Sequence, residues 1–97
     1  MTDFRASLSD TAPAPGLEPP LAGLWWAAKG QWDQAHQIVQ DESSADAAWV
    51  HAYLHRIEGD LGNANYWYRR AAKPIATGPL ETEWDGIAST LLEGARS

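Results

Sequence analysis

Residues 48–72 read AWVHAYLHRIEGDLGNANYWYRRAA, and one local structure suits them. Apolar residues recur at helical spacing on both sides of Gly59-Asp60: Val50, Leu54 and Ile57 before it, Leu61, Ala64, Tyr68 and Ala71 after it. Gly59 follows the last apolar position of the first helix, Asp60 or Gly62 starts the second, and Pro74 bounds it. The stretch is a helical hairpin against which the rest of the chain must pack. It holds two of the three histidines, all three tyrosines and two of the six tryptophans.

The other segments carry the same period. Pro19-Pro20 suits a helix entry, where a missing N–H is not needed. A helix over 21–29 places Leu21, Leu24 and Trp25 on one side and ends at Gly30. A second over 32–40 carries Ala35, Ile38 and Val39. Trp25 and Trp26 are adjacent and cannot both face one core. Ser43 or Ser44 can cap a third helix, which ends near Glu58. Beyond the hairpin, a helix over 80–92 opens on Glu81, Glu83 and Asp85, favourable at a positive helix N-terminus, and buries Trp84, Ile87, Ala88, Leu91 and Leu92. No strand-like alternation occurs. The expected fold is all-α, with about five helices in one domain over residues 19–97. Residues 1–18, rich in Ala, Pro, Ser and Thr, read as a disordered tail.

Composition narrows the function. A net charge of −6 argues against nucleic acid and against anionic membranes as partners. No apolar run approaches the roughly 20 residues of a membrane span. The absence of cysteine excludes disulfides, thiolate chemistry and cysteine-ligated zinc. Asp3 and Arg5 interrupt any secretory leader, so the expected location is the cytoplasm.

Two segments align without gaps at an offset of 29 residues: Lys29 to Ala35 against Glu58 to Ala64. Gly30 matches Gly59, Trp32 matches Leu61, Ala35 matches Ala64 and Val39 matches Tyr68. Upstream, Gly23 and Trp26 match Ala52 and His55. This is the logic of a stacked helix hairpin: a small residue at a close crossing, a glycine turn, an apolar anchor, then a small residue in the facing helix. At these residues the chain resembles the tetratricopeptide and Sel1-like repeat families, and Trp67-Tyr68-Arg69-Arg70-Ala71-Ala72 looks like a Sel1-type second helix. The resemblance covers about residues 21–74 and makes the last helix a cap. It implies a non-catalytic module that binds a protein or peptide in a groove, with self-association as a homodimer a close variant, and it implies no cofactor.

Candidate site residues lie in the hairpin. His51, His55 and Glu58 share one helical face at i, i+4 and i+7. Two histidines so spaced can chelate a metal, but Ala52 stands where the zinc-protease motif has glutamate, and His36 could join only if folding brought it close. The favoured reading is packing, with hydrogen bonds to Glu58, Tyr66 or Tyr68; metal is the least favoured, and zinc is not expected to raise the melting temperature. Arg56, Arg69, Arg70 and Lys73, beside Tyr66 and Trp67, could grip a carboxylate, a phosphate or a base, or, as is favoured, could complement the helix dipole and pair with Glu58, Asp60 or the acidic final helix. The candidate binding residues are therefore His51, His55, Arg56, Glu58, Tyr66, Trp67, Arg69 and Arg70. No catalytic residue and no metal ligand is assigned. The alternative is a small-ligand or metal-dependent enzyme using the His51, His55 and Glu58 face.

Overall fold

The computed structural model describes residues 2–96, with side chains over 3–94. Its helices are α1 (Thr2–Ala6), α2 (Pro19–Ala28), α3 (Trp32–Val39), α4 (Ala45–Ile57), α5 (Leu61–Ala71) and α6 (Leu80–Arg96), with a 3-10 turn at Ser7–Ser9 after α1. No strand is present among the described residues, and no described helix is long and apolar enough to cross a membrane.

The ends of these helices follow from local chemistry. Ser44 caps α4, its Oγ accepting from the Ala47 N–H at 3.1 Å. Asp60 caps α5 by accepting from the Asn63 N–H and, at 2.6 Å, from the Asn63 side-chain amide. Gly30 and Gly59, aligned in the sequence, both take positive φ (76° and 82°) and close α2 and α4 with the same reversed backbone bonds.

Helices α2 and α3 form one hairpin, α4 and α5 the second, and α6 lies against α2 and α4. The main core joins Leu21, Leu24 and Trp25 with Ala35 and Val39, Ala47, Val50, Tyr53 and Leu54, and Trp84, Ile87, Ala88 and Leu91. Ala52, Ala64 and Tyr68 pack a smaller core inside the second hairpin. Gly23 sits at a close crossing: a Cβ there would lie 2.8 Å from Val39 Cγ1. Trp25 is fully buried while Trp26 meets it edge-on at the margin. One aligned pair departs from expectation. Leu61, read as an apolar anchor, is 59% exposed.

The N-terminal segment also differs from the mobile tail expected over 1–18. Phe4 is buried and stacks on Trp84 with ring centroids 5.7 Å apart. The Trp25 indole N–H donates to Ser7 Oγ at 2.9 Å, Lys29 Nζ donates to the Leu8 and Asp10 carbonyls, and Arg5 pairs with Asp85. Composition averaged over eighteen residues hides one aromatic that has a ring to dock on. Met1 and Ser97, the outer ends of the two expected segments, lie outside the described residues. Phe4→Ala should cost about 2 kcal/mol, below the 3–5 of a central aromatic because α1 sits at the margin. Urea denaturation checks this; a loss below about 0.5 kcal/mol would mean that the segment does not dock in solution.

Candidate functional site

All three histidines converge where α3, α4 and α5 meet. His36 leaves α3 one turn after Trp32, and His51 and His55 leave α4 one turn apart, so each helix presents its rings on a single face. His36 Nε2 and His51 Nε2 are 3.0 Å apart. His55 Nδ1 donates to Glu58 Oε1 at 2.7 Å. One ring nitrogen from each histidine lies within 4.8 Å of the other two.

Aromatic walls hold the rings. Trp32 stacks on His36 (centroids 4.7 Å, planes 11° apart) and Trp67 stacks on His51 (3.9 Å, 16°). Trp32 is itself pinned, its indole N–H donating to the Leu54 carbonyl at 2.6 Å. His51 is 4% exposed and His55 8%, whereas His36 is half-buried. Burial pushes the His51 imidazole down to about 4, with the charges His36 and His55 would carry acting in the same sense. Burial also lowers His36, seconded by His55 and opposed by Glu58 and Asp33. His51 Nδ1 is buried with no hydrogen-bond partner.

The other candidates separate into two groups. Arg56 lines a groove with Leu61, Asn65 and Ile75, and its guanidinium is engaged by the fold itself. Its guanidinium donates to Glu83 Oε1 at 2.8 Å and to the Gly78 carbonyl, while the Tyr68 hydroxyl donates to Glu83 Oε2. With side-chain exposures of 15% for Arg56 and 7% for Glu83, the cluster joins α4, α5 and α6 inside the fold. Burial and the Glu83 bond raise the Tyr68 phenol well above its ordinary range.

Tyr66, Arg69 and Arg70 face solvent, and Trp67 is half-buried between them and His51. The Arg70 guanidinium lies over Trp67 and Tyr66, 5.3 and 5.9 Å from the ring centroids, and donates to the Tyr66 hydroxyl. Lys73, just past α5, sits 4.2 Å from the Trp49 ring. Beside it opens a groove of about 450 Å³ lined by Trp49, Lys73, Ile75, Thr82, Ile87 and Thr90, among others.

Sequence reasoning left out Trp32, Trp49 and Glu83 as site residues, met Lys73 only within the basic cluster, and admitted His36 only on condition. The i, i+4 spacing of Trp32 and His36 was the available signal for the first. Glu83 was foreseen only as one acid of the final helix, because its particular partners lie on other helices. No family model matches this chain, and neither does any curated protein or solved structure.

Proposed function

We propose that the protein is a non-catalytic helical module that binds a protein partner through an acidic, aliphatic peptide segment laid along the C-terminal end of α5. The carrying observation is a charge imbalance. Arg69, Arg70 and Lys73 cluster on one rim of a chain of net charge −6, yet none has a carboxylate within ion-pair distance among the described residues. Arg5 and Arg56, in contrast, are both paired with acids. Two of the three rim cations rest over aromatic rings, which shields one side and leaves the charge to be met by a ligand. The groove beside Lys73 offers the half-exposed Ile75 to an aliphatic side chain. The hairpin likeness noted in the sequence supports the same reading.

The test is fluorescence anisotropy of a labelled peptide alternating glutamate and leucine. Binding should weaken with salt and fall at least tenfold in an Arg69→Glu, Arg70→Glu variant, whose changes lie on the surface. Binding that ignores this reversal overturns the proposal, as does no binding below about 1 mM. A concentration-dependent dimer that the same variant abolishes would replace the peptide with a second copy of the chain.

A further inference from the structure

We infer that His36, His51 and His55 form a site for one divalent late first-row transition ion of the zinc type. This stands apart from the rim that takes the peptide, and either proposal can fail alone.

The first argument is donor geometry. Two imidazole nitrogens on one tetrahedral zinc, each about 2.0–2.1 Å from it, lie about 3.3 Å apart. The His36 and His51 Nε2 atoms already stand 3.0 Å apart, and one ring nitrogen from each histidine lies within 4.8 Å of the other two. Closing the widest gap takes about 1.5 Å of ring movement, within reach of a small χ adjustment.

The second argument is hydrogen-bond accounting. A carboxylate only accepts, so the Glu58 bond places the hydrogen of a neutral His55 on Nδ1 and leaves Nε2 as its lone-pair nitrogen. Between His36 and His51 one hydrogen serves two facing nitrogens, and His51 Nδ1 has no partner at all. Three rings serving only as packing would leave this interior under-satisfied, where apolar side chains of similar size would not. A cation would use the lone pairs of the facing His36 and His51 Nε2 atoms, each ring then carrying its hydrogen on Nδ1, and the His51 Nδ1–H keeps no partner in that state.

The third argument is preorganisation. Glu58 behind His55 is the carboxylate–histidine arrangement that orients metal ligands and raises their basicity. Trp32 and Trp67 fix the planes of His36 and His51. The half-buried His36 gives a path for entry. Three imidazoles and no thiolate suit zinc, nickel or copper over magnesium or calcium, and leave one tetrahedral position for water or an anion.

The experiment uses the full chain stripped of metal and titrated with Zn²⁺ by calorimetry and by NMR of the histidine rings. One ion should bind per chain, the ring signals of all three histidines should move together, and the melting temperature should rise roughly 10 °C with Zn²⁺ at 100 times its Kd. His36→Gln, at a half-buried position that tolerates change, should weaken binding about 100-fold, and Glu58→Gln about tenfold. Failure of Zn²⁺, Ni²⁺ and Cu²⁺ alike to bind below about 1 mM overturns the site. So does binding that His36→Gln leaves intact, or that moves fewer than three sets of ring signals. The NMR result needs no variant, so it stands even where a substitution unfolds the chain.

Discussion

Glu83→Ala should lower the stability of the protein by about 3 kcal/mol, because it removes the carboxylate that alone meets Arg56 among the described residues. The loss has two parts. The guanidinium keeps the Gly78 carbonyl but loses its charged partner, and the Tyr68 hydroxyl loses its acceptor. Residual exposure of Arg56 holds the figure at the lower end of the 3–5 kcal/mol typical of broken buried pairs. Glu83→Gln keeps one acceptor and should cost about half as much. Glu81→Ala, one helix face away and exposed, should stay within about 0.5 kcal/mol. Urea denaturation of the three variants decides the matter. If Glu83→Ala is as mild as Glu81→Ala, the cluster does not tie α6 to the second hairpin.

The metal-free protein should lose on the order of 3 kcal/mol of stability between pH 6.5 and pH 4, chiefly through the burial of His51, with His36 and His55 acting in the same sense. In the unfolded chain this imidazole titrates near 6.5, but in the folded chain burial holds it to about 4. The unfolded state therefore binds the extra proton first as pH falls. The contribution is fully present above 6.5, shrinks through the interval, and is gone below the folded value. His36, also lowered, acts in the same direction, moderated by Glu58 and Asp33. Denaturant titrations at pH 7 and pH 4.5 in chelator read the effect, and His51→Gln should flatten the profile. Equal flattening by the distant Phe4→Ala would show that general acid unfolding, and not this ring, carries the slope.

Much of the architecture was legible in residue order. Val50, Leu54 and Ile57 on one helix and Ala64, Tyr68 and Ala71 on the next announced the second hairpin, and all but Ile57 are buried. The paired glycines at 30 and 59 were readable because only local backbone geometry is involved. Leu61 misled, since an apolar residue at the start of a helix carries no information on whether another element covers it. Phe4 was lost in a segment whose average composition is that of a loop. Helical spacing put His51, His55 and Glu58 on one face, where His55 stacks on His51 and bonds to Glu58, and Tyr66, Arg69 and Arg70 are exposed on α5. Arg56 was grouped with that rim, and the structure pairs it with Glu83 of the acidic last helix, the alternative the sequence reading favoured for the cluster.

The sequence by itself determined α2 to α5 and where each of them stops, and the start and apolar stripe of α6. Those properties depend on residues within one or two turns, through hydrogen-bond period, capping and the freedom of glycine. The tertiary structure decided what meets across the helices. It brings His36 within 3.0 Å of His51, 15 positions away, sets Arg56 on Glu83 across 27, and lays α1 beside α6 through Arg5 and Asp85 across 80. Such contacts follow from packing angles between helices, and those are settled only when several apolar stripes are buried at once.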